Sequence, residues 1–264
     1  MLHQIITLAL VQGLTEFLPV SSSAHLILVP HLAGWPDQGI AFDVAVHVGT
    51  LIAVCLYFRK DLLRLTFGLL RSIRGKPSRY YSPLAWQLIL ATIPIALIGF
   101  LAHDFVATTF RSPVIIAVST IFFGLVLWKA DKVAAQNKRF HKLTTKDAMI
   151  IGLAQVLALI PGTSRSGITL TAGLGLGYHR NCSAKFSFLL SIPVILLAGG
   201  YEGLKILKTP DPIPWMSLSI GVVVSMLSAY VCIHAFLQLL RKIGVLPFVI
   251  YRLALGAVLM LVFV

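Results

Sequence analysis

The sequence predicts an all-α integral membrane protein with an inverted-topology repeat, each half a re-entrant helix pair followed by three transmembrane helices. Three observations carry this reading. Of 264 residues, 58% are hydrophobic and only 12% charged, about half the charged share of an ordinary globular domain. Six apolar stretches, at 39–58, 84–103, 112–128, 185–207, 216–237 and 246–264, are long enough to cross a bilayer. Two more, at 4–33 and 147–178, are apolar but interrupted by proline and clustered polar residues. Such breaks are tolerated at membrane depth only inside protein or against a wet cavity.

In chain order, the first broken stretch turns at Pro19 and Ser21-Ser22-Ser23, and the second at Pro161, Gly162 and Ser164-Arg165-Ser166-Gly167. Residues 12–19 overlay 151–158 at an offset of 139, and the third span of each half opens on a proline, Pro113 or Pro247. Three spans per half is odd, so the second half enters the membrane from the opposite side. The chain is then one membrane domain, 1–264, with a first repeat at 1–128, a basic cytoplasmic linker at 129–146 and a second repeat at 147–264. Lys and Arg set the orientation. One side holds 17 of the 22, in 59–79, 129–146, 178–185 and 238–245, read as loops. The other holds three, Arg111, Lys205 and Lys208, while Arg165 and Arg252 lie inside apolar segments. The crowded side is expected to be cytoplasmic, with both termini outside.

The net charge of +13 is accounted for by these loops and by anionic headgroups, not by nucleic acid. Cys55, Cys182 and Cys232 have neither redox nor metal spacing and read as packing residues. The N-terminus lacks a cleavable signal pattern, so the first segment is expected in the mature protein.

Only two glutamates occur, Glu16 and Glu202. Glu16 sits in an apolar helix, one turn after Gln12. A carboxylate there is a functional candidate or is neutralised by a structural hydrogen bond. Ser21, Ser22, Ser23 and His25 follow within nine residues. Serines opening a helix cap its amides, and uncapped amides there bind phosphate. Beside Glu16, a nucleophile or general base is the sharper reading of this cluster. Arg165 has no acid near it in sequence and suits phosphate oxygens through its planar fork, or else it bridges to Glu16 and joins the repeats. Gly162 and Gly167 let backbone amides approach an anion. Asp43 and His47, one turn apart, form either an outer layer of the site or a structural pair. Gln155 overlays Glu16 as a hydrogen-bonding counterpart. Arg252 reads as snorkelling or paired within the bundle. His3, His31, His103, His141, His179 and His234 show no ligand spacing.

The runs Gln12-Gly13-Leu14-Thr15-Glu16-Phe17-Leu18-Pro19-Val20-Ser21-Ser22-Ser23-Ala24-His25 and Pro161-Gly162-Thr163-Ser164-Arg165-Ser166-Gly167, with Phe42 to Gly49, resemble those of undecaprenyl-diphosphate phosphatases of the bacitracin-resistance type. The resemblance covers essentially the whole chain. It implies hydrolysis of a polyprenyl diphosphate to the monophosphate carrier of cell-wall synthesis, bacitracin resistance, and an inner-membrane location; by the charge count, the site is expected to open to the periplasm. It also implies Mg²⁺ or Ca²⁺. Carried over, Glu16, Ser22, His25 and Arg165 are catalytic, with Ser22 preferred as nucleophile over His25 or water. Ser21, Ser23, Gly162, Thr163, Ser164, Ser166 and Gly167 bind substrate. Glu16 and Gln12 hold the metal, although Gln12 stands where many members have a glutamate, which weakens a two-carboxylate site. The partners implied are the lipid substrate and membrane lipids, with a homodimer compatible and no nucleic acid. Two other readings compete. One is a polyprenyl-phosphate transporter or flippase, which needs no nucleophile-plus-acid cluster. The other is a phosphatidic-acid-phosphatase-type enzyme, whose Pro-Ser-Gly-His turn is absent here.

Overall fold

Apolar runs of 18 or more residues become helices because a backbone in lipid must satisfy its own amides and carbonyls. The computed structural model describes residues 2–102, 105, 112–208 and 214–263; Arg111 and His103 lie outside this set. Eleven α-helices follow one another among the described residues: α1 (Leu2–Thr15), α2 (Ser22–Ala33), α3 (Ile40–Tyr57), α4 (Arg59–Ile73), α5 (Tyr81–Leu101), α6 (Pro113–Val133), α7 (Thr145–Gln155), α8 (Arg165–Gly175), α9 (Arg180–Ile206), α10 (Trp215–Ile243) and α11 (Leu246–Phe263). Six of them, α3, α5, α6, α9, α10 and α11, are long and apolar enough to cross a membrane. Their burial pattern is that of a protein in lipid. Leu97, Phe122, Val231 and Ile250 face outward, while Thr120, Ser187, Ser191, Ser225 and Arg252 are inside. The chain is a multi-pass membrane protein.

Several boundaries move, and one element was not foreseen. Helix α9 begins five residues before the expected span, and α6 and α10 run on into the basic segments. Residues 59–79, read as a loop, contain α4. Leu62, Leu65 and Leu69 of α4 pack on the core, while Leu63, Phe67 and Leu70 stay exposed. The basic segments are also tied together by ion pairs, Arg180 to Asp131 at 2.6 Å and Lys185 to Asp61 at 2.8 Å. In the turn before α9, Tyr178 donates to Asp147 at 2.6 Å; burial first, and then this bond, pushes its phenol above the ordinary range.

Two glycines that overlay at the offset of 139 make equivalent contacts. Gly13 lets α1 approach α10, where an added Cβ would lie 2.6 Å from the Ser225 carbonyl oxygen. Gly152 does the same for α7 on α5, with the Ala91 carbonyl at 2.4 Å. Backbone cannot retreat from either clash. Gly152→Ala is therefore expected to destabilise the protein by about 1–3 kcal/mol, the usual size of overpacking, read as a lowered thermal midpoint in detergent. An unchanged midpoint would contradict this packing.

Candidate active site

The two breaks meet. Helix α1 stops at Thr15, and the chain turns through Pro19 to Ser21, whose φ of 71° and ψ of 93° lie in a region few L-residues adopt. In the second break, a short 3₁₀ turn (Val156–Leu159) and Pro161 lead to Ser164, with φ 69° and ψ 112°. Ser21 Oγ lies 3.1 Å from Ser23 Oγ, and Ser164 Oγ lies 3.2 Å from Ser166 Oγ. Two strained serines in like settings open two short helices, the pattern expected where strain is held for function. Only the second is a side-chain cap: Ser164 accepts from the Gly167 amide, whereas no serine side chain caps α2. The expected capping role of the first serine cluster is therefore not met.

Between the breaks lies a cavity of about 160 Å³ lined by Glu16, Ser21, Ser22, Ser23, His47, Ala158, Ile160, Gly162, Ser164 and Arg165. It has room for a small polar head and not for a lipid chain. Glu16 is its centre. Arg165 Nη2 donates to Oε1 at 2.8 Å, Ser22 Oγ donates to Oε2 at 2.8 Å, and Gln12 Nε2 donates to Oε2 at 2.9 Å. The glutamate is 8% and the arginine 12% exposed, so this ion pair is shielded from water. Removing one member of such a pair costs about 3–5 kcal/mol because the other charge is left uncompensated. Arg165 is further held by the Ser187 carbonyl at 3.3 Å and lies 5.8 Å from the centroid of the buried Phe17 ring.

The histidines are arranged differently from expectation. His25 does not line the cavity. Its Nδ1 lies 2.7 Å from the Ser21 carbonyl oxygen and its Nε2 lies 2.6 Å from the Tyr251 hydroxyl. A carbonyl only accepts, so Nδ1 carries the proton and Nε2 accepts from tyrosine. His47 does line the cavity, with Nε2 3.6 Å from Glu16 Oε2. Its Nδ1 meets the backbone carbonyl of Asp43 at 2.7 Å, which joins the two residues one turn apart. Two features of the sequence point to His47, its one-turn spacing from Asp43 and its place in the run from Phe42 to Gly49.

Other predicted residues sit behind the cavity. Ser166 donates to the Leu18 carbonyl at 2.8 Å, linking the breaks. Thr163, Gly167 and Gln12 are buried outside the lining. Gln155, expected to hydrogen-bond as the counterpart of Glu16, is fully buried, and neither amide atom has a partner among the described residues. Arg252 neither snorkels nor pairs with an acid. It is fully buried and donates to the carbonyls of Thr120, Pro19, Thr163 and Gly162 at 2.9–3.2 Å. One side chain thus ties both breaks to α6.

The family described as bacitracin resistance protein BacA matches residues 5–258. The undecaprenyl-diphosphatase of Saccharophagus degradans is 58% identical over 250 residues, covering 95% of this chain and 94% of its own. Undecaprenyl-diphosphatase 2 of Stutzerimonas stutzeri is 56% identical over 265 residues, covering 99% and 98%. The undecaprenyl-diphosphatase of Teredinibacter turnerae is 54% identical over 258 residues, covering 98% of each chain. The chain belongs to the bacitracin resistance protein BacA family.

Proposed function

We propose that this protein is an undecaprenyl-diphosphatase, releasing inorganic phosphate and leaving the lipid monophosphate used in cell-wall synthesis. The observation that carries this reading is a serine hydroxyl bonded to a buried carboxylate that also faces an arginine, at the meeting of two broken helices. A carrier of phospholipid needs the arginine but not the serine on the acid. Bacitracin resistance follows from the activity.

Ser22 attacks the terminal phosphorus in line as the bridging P–O bond breaks, and its proton passes to Glu16. Arg165 leaves Glu16 to hold the transferred phosphoryl oxygens, joined by the uncapped amides at the start of α2. Water then hydrolyses the phosphoserine, with His47 moving the proton to or from Glu16. His25 holds the Ser21 turn through its carbonyl and is assigned positioning in place of attack. Glu16 and Gln12 would hold a hard divalent cation, Mg²⁺ or Ca²⁺: both offer oxygen ligands, and Gln12 Oε1 is buried without a partner among the described residues. When bound, the cation offsets phosphate charge.

The halves 1–128 and 147–264 are inverted copies around the linker 129–146, a reading supported by the Gly13 and Gly152 contacts and the paired conformations of Ser21 and Ser164. The basic segments put the cytoplasm on their side of the bacterial inner membrane, and the cavity opens to the periplasm.

Hydrolysis in ¹⁸O-labelled water tests the reaction. Label is expected in the released phosphate and absent from the lipid monophosphate; label in the lipid would place attack on the inner phosphorus. Acid quenching during turnover is expected to trap phosphate on Ser22. His47→Gln is expected to lower kcat about 10²-fold, the low end for a lost proton-transfer group, with KM nearly unchanged. An unaffected kcat would remove His47 from the mechanism.

A further inference from the structure

The catalytic cavity accommodates a head but not a chain, and a second cavity adjoins it. This is a largely apolar groove of about 410 Å³ between α5 and α9, with Gly99 and Phe100 on one wall, Val194, Ala198 and Tyr201 on the other, and Leu159 between them.

Two connections join the groove to the site. Ala158 and Ile160 line the catalytic cavity while Leu159, between them, lines the groove. The α9 face that meets Arg165 at Ser187 presents Val194, Ala198 and Tyr201 two to four turns further on, beginning about 10 Å along the helix. At the far end, the Phe100 and Tyr201 rings meet edge to face at 5.9 Å. Both helices carry a proline beside the groove, Pro94 and Pro193, and a proline removes one backbone bond and bends its helix. Small residues then set the width: a Cβ on Gly99 would touch only Leu159, at 3.5 Å.

We propose that this groove holds the first isoprene units of the lipid substrate, with Gly99 and Ala198 setting its bore. The inference rests on the hydrolase reading above. If a chain carbon occupies about the volume of a water, roughly 30 Å³, the groove takes some three isoprene units, and the rest of the chain lies in the bilayer. Lipid is as apolar as the groove, so little binding free energy is gained by entering it. Its effect is to aim the diphosphate, and it falls on kcat more than on KM.

The test compares Gly99→Phe and Ala198→Phe, which fill the groove from opposite walls, with wild type on diphosphates of one, three and eleven isoprene units. Taking the variant-to-wild-type ratio at each length cancels differences in detergent partitioning. Both variants are expected to lower kcat about tenfold or more on the three- and eleven-unit substrates and to leave the one-unit substrate within twofold. Equal ratios at every length, with thermal midpoints unchanged, would assign the groove to bulk acyl chains and overturn the proposal. Should one variant fail to fold, the other carries the comparison. No release by wild type at any length would strike the hydrolase reading instead. The groove is then tested by photolabelling with a three-unit prenyl monophosphate bearing a diazirine on its third unit. Label within 92–100 and 194–201 supports it, and label elsewhere overturns it.

Discussion

Arg165→Ala is expected to reduce phosphate release by about 10³-fold. A preorganised donor aimed at charge developing on a transferred group contributes about 10²–10³ in rate, and here the same residue also neutralises Glu16 at 2.8 Å. Without it, the carboxylate repels the incoming diphosphate, and Ser22 loses an acceptor held in fixed geometry. Arg165→Lys is expected to recover no more than about tenfold, because an ammonium lacks the fork that reaches a phosphate and the Ser187 carbonyl together. The check is steady-state phosphate release, beside a thermal midpoint that shows both variants folded. Near-wild-type release by Arg165→Ala would remove the arginine from the chemistry.

Arg252→Met is expected to lower both stability and activity, for reasons that oppose each other. The substitution relieves the burial of a charge that has no carboxylate partner, which favours the variant by several kcal/mol. It also strips donors from four carbonyls, each costing about 1–3 kcal/mol when left buried and unmet. The second effect is the larger because Pro19 and Thr163 lie in turns, where no helix ladder supplies another donor, and Gly162 keeps only the Thr120 hydroxyl at 3.3 Å. A net loss of about 3 kcal/mol follows, a fall in thermal midpoint on the order of 10 °C by the scaling for chains of this size. Both turns lose their common anchor, so release falls about 10²-fold even in folded protein. Arg252→Lys is expected to rescue little, since one ammonium does not span carbonyls on three segments. A stable, active Arg252→Met would show that the breaks hold each other without it.

The contrast between these two arginines shows what sequence reveals. Arg165 was legible because an isolated cation and an isolated acid, in two broken helices, have few partners other than each other. Arg252 was not, because its partners are main-chain carbonyls, which carry no residue signature. The spans could be read from apolar runs alone, whereas α4 was hidden by counting its arginines and lysines as loop charge. Its leucines at 62, 65 and 69 recur at helical spacing and were the available signal. His47 lines the cavity and His25 does not, for a local reason. Each ring gives Nδ1 to the carbonyl four residues back, and the direction left to Nε2 depends on which helix face meets the cavity. That Gln155 finds no partner among the described residues follows from the same limit, since an overlay in sequence transfers position but not surroundings.

Glu16 and Arg165, brought together from the two breaks, are expected to act as one unit on a lipid diphosphate. Phosphate release from undecaprenyl diphosphate by the purified protein, measured for wild type, Glu16→Gln, Arg165→Ala and the double variant, with Mg²⁺, with Ca²⁺ and with chelator, tests it most directly. The expected result is one phosphate per lipid, dependence on the cation, and single variants nearly as inactive as the double, since residues acting as a unit are not additive. Release that survives Glu16→Gln, or losses that multiply independently, would contradict it.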